Sequence, residues 1–205
     1  MSKKSFNKMA GVFGVASPVL AFVLIGLAIS RAAWFTWTGN ALSDLGVHEE
    51  SAWLFNSGLF LSGILTVIFA FGVIRFYGTK AAGRSGAFFL LLAGVFLAAI
   101  GVFPETAPNN IHYIVSVAFF SALPLSLFLQ SLTLITSTAG RSLGTFTLVM
   151  AITALLPWVI WTAFKPYSGV AIPELVSAIA AALWSITMGI KLMRVQSPFD
   201  RFKAA

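Results

Sequence analysis

The chain has 205 residues, of which 59% are hydrophobic and only 9% are charged, whereas a soluble domain is about a quarter charged. This balance excludes a water-soluble domain, and because a membrane-spanning helix needs about 20 apolar residues, the length allows about six spans. The absence of cysteine excludes disulfides and thiolate chemistry, and the net charge of +7 is typical of a membrane protein whose cytoplasmic loops collect Lys and Arg, without any need for nucleic acid.

Six apolar runs follow one another along the chain and predict an all-α, polytopic membrane protein, a six-transmembrane-helix bundle forming a single domain over 1–205. Because the hydrocarbon region holds no water, each run must satisfy its own backbone hydrogen bonds, which favours helices. The runs cover about 9–30, 51–76, 87–103, 111–137, 143–164 and 172–193. The first run is too long for the core of a signal peptide, so we interpret it as an anchor.

The charged residues between the runs predict the orientation. If the N-terminus lies inside, only Arg31 and Lys165 of the 13 basic residues face outward, and only Asp200 of the six acidic residues faces the cytoplasm. Cytoplasmic loops are enriched in Lys and Arg, so we expect both termini in the cytoplasm and the protein in the cell membrane. Five of the six tryptophans fall near the predicted outer ends of the spans, where amphipathic rings are favoured.

The connection after the first run carries the first cluster of polar side chains. If this segment is helical, Asn40, Ser43 and Asp44 share one side, opposite an apolar side that contains tryptophan. This pattern predicts a short interfacial helix that ends at Gly46. The alternative is that Asn40 is a helix cap and Asp44 an ordinary solvated acid or a first-turn partner.

A second polar cluster lies between the third and fourth runs. Asn109 or Asn110 can cap the fourth helix, which places His112 in its first turn, just inside the membrane boundary. An ionisable side chain at this depth normally faces the bundle interior or a wet cavity and has a partner. The candidate partners are Asp44, Asn56, Ser57 and Glu105. The alternative is that His112 only ties its helix to the preceding loop through one hydrogen bond.

Together the two clusters predict a polar, ligand-binding pocket at the outer end of the bundle. Its candidate residues are Asn40, Ser43, Asp44, Asn56, Glu105 and His112. Within this pocket we expect a charge-assisted hydrogen bond between Asp44 and His112.

Neither cluster has a strong catalytic or metal-binding signature. Histidine with aspartate and glutamate can bind a metal or exchange protons. The sequence has no HExxH, no phosphate-binding glycine loop and no GxSxG, and two histidines are too few for paired haem ligation. We predict no metal and no other cofactor, and the sequence leaves enzymatic activity open.

Three stretches carry a resemblance to a known family: NALSDLG at 40–46, FNSG at 55–58, and GVFPE at 101–105 followed by His112. They resemble the prokaryotic six-span membrane proteins of the domain of unknown function 998 family, and this resemblance implies a six-helix bundle without implying an activity. More remotely, LSDLG at 42–46 is similar to the Ser-Asp-x-Gly element of the Frag1, DRAM and Sfk1 group. That group's association with lipid remodelling or membrane trafficking implies lipid headgroups at the outer leaflet.

Three functions are compatible with the sequence. The first is binding or handling of a lipid headgroup or small polar ligand in the outer pocket. The second is a structural or assembly subunit of a membrane complex, and the third is a transporter or lipid-modifying enzyme. Expected partners are membrane lipids and, for the second function, another membrane protein; nucleic acid is not expected. Ion-coupled transport is disfavoured because the middles of the spans contain no acidic residue.

Overall fold

The computed structural model describes residues 3–194, and there the chain forms six long helices. These are α1 (Lys3–Arg31), α2 (Glu49–Tyr77), α3 (Ala81–Val102), α4 (Ile111–Ile135), α5 (Arg141–Phe164) and α6 (Ala171–Arg194). Each is long and apolar enough to cross a membrane, and the described residues contain no strand. The predicted all-α bundle of six spans is therefore confirmed. Asp200, assigned above to the cytoplasmic side, lies outside the described residues.

Some helices extend beyond the apolar runs that predicted them. Helix α3 begins at Ala81, ahead of the run that starts at 87, because residues 81–86 are compatible with a helix although they include Arg84. Helix α2 ends at Tyr77 and is capped by Gly78, whose φ of 54° lies in the left-handed region and whose N–H donates to the Arg75 carbonyl. Glycine adopts this conformation without the steric cost that a Cβ imposes.

The six helices pack in chain order around a ring, and α6 closes the ring against α1. Hydroxyl groups in the middle of the spans join neighbouring helices. Ser17 Oγ donates to the Ser62 carbonyl at 2.8 Å, and Ser62 Oγ donates to the Ser17 carbonyl at 3.0 Å. At the closing contact, Ser185 Oγ donates to the Gly14 carbonyl at 2.7 Å. Such interhelical hydrogen bonds help to hold helices together in lipid, where there is little hydrophobic drive for helices to associate.

Opposite the end at which α1 begins, the bundle carries three connections, which cover residues 32–48, 103–110 and 165–170. We call this the far end. The expected interfacial helix differs in the structure: it is a five-residue 3-10 helix, Leu42–Gly46, and not an amphipathic α-helix on the membrane surface. Leu42, Ser43, Leu45 and Gly46 are all buried. The segment therefore packs into the top of the ring, where it can contribute to a site.

The orientation is tested by labelling single cysteines in a chain that has none of its own. With both termini in the cytoplasm, cysteines at Ser5, Lys80 and Ala204 are expected to be protected from an impermeant thiol reagent in intact cells, and cysteines at Glu50 and Ser168 are expected to react. Permeabilised cells provide the control for reactivity at every position. Labelling at Lys80 in intact cells would reverse the assignment.

The close approach of α2 and α3 gives a second prediction. A Cβ at Gly63 would lie 2.4 Å from the Ala98 nitrogen and 2.6 Å from the Gly94 carbonyl oxygen, so Gly63→Ala must push two backbones apart. We expect a loss of about 1–3 kcal/mol in the free energy of unfolding, the usual cost of overpacking. Unfolding in mixed micelles, followed by circular dichroism, measures it.

Gly26→Ala is the matched control, because a Cβ at Gly26 meets no atom within 4 Å. This change is expected to be neutral or slightly stabilising, since alanine has the higher helix propensity. Equal effects of the two substitutions would show that the contact between α2 and α3 is not tight.

Candidate functional site

Two connections at the far end are joined through their backbones. The Gly169 N–H donates to the Thr38 carbonyl at 2.9 Å, and the Ala171 N–H donates to the Asn40 carbonyl at 2.9 Å. A Cβ at Gly169 would lie 2.2 Å from the Asn40 oxygen, so only glycine permits this approach. The pairing fixes the start of α6 against the segment that leads into the 3-10 helix.

Glu174, in the first turn of α6, lies directly against that 3-10 helix. Its Oε2 accepts a hydrogen bond from the Leu42 N–H at 2.6 Å, and the residue is only 8% exposed. Sequence reasoning counted Glu174 among the outer acids and did not place it in the site. The available signal was an acid within an apolar run near the membrane boundary, a position where ionisable residues usually have a function.

Ser43, Glu105 and His112 form a chain of polar contacts across the far end. Ser43 Oγ donates to Glu105 Oε1 at 2.6 Å, and His112 Nε2 lies 3.9 Å from the same oxygen. The Glu105 side chain is 37% exposed, and that of His112 is 10% exposed. The structure therefore brings together three of the six predicted residues, drawn from three separate segments.

His112 also ties its helix to the preceding loop, as the alternative interpretation predicted. Its Nδ1 lies 2.7 Å from the Phe103 carbonyl oxygen, and because a carbonyl only accepts, Nδ1 carries a proton. Nε2 faces Ser116 Oγ at 3.4 Å. That distance exceeds the 2.6–3.2 Å typical of a general base and its nucleophile, so the pair gives little support for acyl transfer.

The predicted hydrogen bond between Asp44 and His112 does not form. Asp44 Oδ2 instead accepts from Asn40 Nδ2 at 2.8 Å and from the Ala41 N–H at 3.0 Å. The physical reason is local: Asp44 is the third residue of the 3-10 helix, and a carboxylate there reaches back to the backbone N–H of the capping residue. Asp44 therefore stabilises the start of the 3-10 helix.

The two amides of the predicted site are also used locally. Asn40 Oδ1 accepts from the Thr36 N–H at 2.9 Å, and Asn56 Nδ2 donates to the Gly46 carbonyl at 2.8 Å. An asparagine occupies the capping position of α4, as expected, but its side chain does not cap the helix. Asn110 is the capping residue, but both Asn109 and Asn110 have left-handed backbones and Asn110 makes no side-chain capping bond.

A cavity of about 930 Å³ opens next to the Ser43–Glu105–His112 chain. We call it the far-end cavity. Ser43, Glu105, His112, Ser116 and Glu174 line its polar part, whereas Asn40, Asp44 and Asn56 do not line it. A smaller cavity of about 120 Å³ lies inside the ring and shares four lining residues with the first, namely Ser43, Ser116, Phe120 and Glu174. Glu174 thus borders both spaces.

The far-end cavity continues as an apolar groove between α4 and α5, which we call the α4–α5 groove. Its walls carry Val117, Leu125, Phe128, Ile152 and Leu155, which are 40% to 53% exposed. In a bilayer these side chains face lipid. The groove therefore opens on the outer surface of the ring of helices.

The described residues contain no group of three or more His, Cys, Asp or Glu side chains placed to hold a metal ion. Glu105 and His112 come together, but no third ligand joins them. Zinc sites in proteins commonly use at least three protein ligands.

Comparison with known proteins identifies a family without an activity. A family model described as "protein of unknown function (DUF998)" matches residues 15–191, which is most of the chain, so the chain belongs to this family. No curated protein and no solved structure matches it. Because one fold can host many functions, the function of this chain depends on the residues of the site.

The Leu42–Glu174 hydrogen bond gives a testable prediction. Glu174→Leu leaves the buried Leu42 N–H without an acceptor and is expected to lower the free energy of unfolding by about 1–3 kcal/mol. Glu174→Gln keeps a side-chain oxygen for the same N–H and is expected to be much less destabilising. Unfolding of both variants in mixed micelles measures the difference; equal losses would show that the hydrogen bond does not hold the 3-10 helix.

Proposed function

We propose that this DUF998 protein binds an amphiphilic lipid at the far end of the bundle. The headgroup would occupy the far-end cavity, within reach of Ser43, Glu105, His112 and Glu174, and an acyl chain would lie in the α4–α5 groove. The observation that carries the proposal is the continuity of a polar cavity with an apolar, lipid-facing groove. The far-end cavity and the α4–α5 groove together have a volume of about 930 Å³. This volume is at the upper end of the range of small-molecule sites, about 300–1,000 Å³.

We also propose that the protein lies in the cell membrane with both termini in the cytoplasm. The far end would then face outward, and the ligand would come from the outer leaflet. The charge distribution of the connections supports this orientation. Trp158 and Trp161, which line the far-end cavity near the end of α5, are residues typical of the membrane interface.

The structure gives less support to the other functions. An ion-coupled transporter needs polar groups in the bilayer midplane for its substrate, and here mid-span hydroxyls such as Ser17, Ser62 and Ser185 are used in interhelical hydrogen bonds. A pure scaffold needs no cavity. The local hydrogen bonds of Asn40 and Asp44, and the one that Asn56 Nδ2 donates to Gly46, favour a structural role for that part of the far end only.

Photocrosslinking tests the proposal directly. The purified full-length protein is placed in phosphatidylcholine nanodiscs with a single-chain lipid that carries a diazirine in mid-chain, and crosslinked positions are mapped by mass spectrometry. We expect crosslinks concentrated on α4 and α5 residues of the groove. Crosslinks spread over all six helices in proportion to their exposed area would show annular lipid and refute the proposal.

Two matched substitutions on α5 sharpen the test. Ile152→Trp adds bulk within the groove, whereas Val149→Trp adds it at a lipid-facing position outside the groove lining; the two native residues are 53% and 48% exposed. The first is expected to abolish most of the groove crosslinking, and the second to leave it unchanged. Equal crosslinking in both variants would mean that the groove does not hold the chain.

A further inference from the structure

Among the residues that the structure describes, the lining of the far-end cavity includes acidic side chains but no Lys or Arg. Its ionisable lining side chains are Glu105 and Glu174, with His112 and Tyr113. A phosphate among these groups would lack the cationic partners that usually bind it. The lining therefore disfavours an anionic headgroup deep in the cavity.

Glu174 has hydrogen-bonding capacity left over. Its Oε2 accepts from the Leu42 N–H, whereas its Oε1 accepts no hydrogen bond from any of the described residues. The residue is more than nine-tenths buried and borders both cavities. The charged form of a buried carboxyl group is costly unless it is paired, so a cationic ligand that donates to this oxygen would stabilise the charged form of Glu174.

Neighbouring acidic side chains further favour a positively charged partner for Glu174. Glu105 and Asp44 are both near enough to interact electrostatically with Glu174, and like charges repel more strongly away from water. Asp44 is neutralised in part by its donors Asn40 and Ala41. Glu174 has a single backbone donor, and a cation in the far-end cavity would relieve the repulsion.

Aromatic rings form part of the same wall. Phe120 and Trp158 lie 4.7 Å apart between ring centroids, and both line the far-end cavity. The indole of Trp158 is held in place because its Nε1–H donates to Ser177 Oγ at 3.0 Å. Fixed aromatic faces attract cations through the ring quadrupole.

We infer, resting on the proposed function, that the headgroup is cationic: a protonated amine on a hydrocarbon chain, with its N–H groups donated to Glu174 Oε1 and to the Glu105 carboxylate. Any phosphate in the same lipid must lie at the mouth of the cavity, away from these two carboxyl groups. The chain follows the α4–α5 groove.

Competition against the mid-chain diazirine lipid tests whether the preferred headgroup is cationic. The competitors share one chain and differ only in the head: dodecylamine, dodecyltrimethylammonium, 1-dodecanol and dodecyl phosphate, each compared at equal membrane concentration in phosphatidylcholine nanodiscs. We expect dodecylamine to displace the probe at a concentration about tenfold below that of dodecanol, as one charge-assisted hydrogen bond implies. Dodecyltrimethylammonium should fall between them, and dodecyl phosphate should be weakest.

Substitutions test whether the Glu174 carboxyl group causes the preference for dodecylamine. Glu174→Gln keeps an acceptor for Leu42 but removes the charge, so the advantage of dodecylamine over dodecanol is expected to fall about tenfold. Glu49→Gln is the control, because it removes the same charge from an exposed position at the far end that does not line the cavity. Should Glu174→Gln fail to fold, Glu105→Gln makes the same test at a more exposed site.

The outcomes separate the two proposals. If dodecanol or dodecyl phosphate displaces the probe as well as dodecylamine does, the cationic headgroup is refuted while lipid binding stands. If the probe does not label the groove at all, the proposed function itself fails. An equal loss of amine preference in Glu49→Gln would assign the preference to surface charge and refute the inference.

Discussion

The hydrogen bond from the Leu42 N–H to Glu174 determines the architecture of the far end. It joins residues 132 positions apart in the chain, and it draws the 3-10 helix into the ring of helices. Ser43 follows Leu42 directly, so the same placement brings its hydroxyl to Glu105. A polar backbone group in this environment must find a partner within the protein, and Glu174 provides it with one oxygen while the other stays available to the cavity.

The site combines two kinds of contact that a bilayer normally keeps apart. Carboxyl and hydroxyl groups gather where α6 begins, whereas the groove between α4 and α5 is lined by side chains that also face lipid. A soluble ligand would leave the apolar groove unused, and a plain hydrocarbon would leave the polar cavity unsatisfied. For this reason we propose a ligand that has both a polar and an apolar part.

The six helices were predictable because hydropathy alone requires them: each span must satisfy its own backbone in lipid. The proximity of Ser43, Glu105 and His112 also agrees with the sequence, since polar side chains near membrane boundaries are few. The sequence left the role of Asp44 open between a first-turn partner and a partner of His112, because two partnerships compete for one carboxylate. In the structure the local bond to Ala41 forms and the bond to the distant histidine does not. Glu174 was missed because its partner is a backbone N–H, which no sequence pattern marks.

Closure of the ring by α6 against α1 has a consequence for biogenesis. Spans are inserted in order as the chain is synthesised, so α1 lacks its contact with α6 until the sixth span is inserted. Glu174 enters with that last span, and until then the Leu42 N–H has no acceptor. A nascent chain stopped after α5 would hold Ser43, Glu105 and His112 yet lack the residue that seats the 3-10 helix. The order of synthesis thus delays assembly of the cavity until the whole bundle is present.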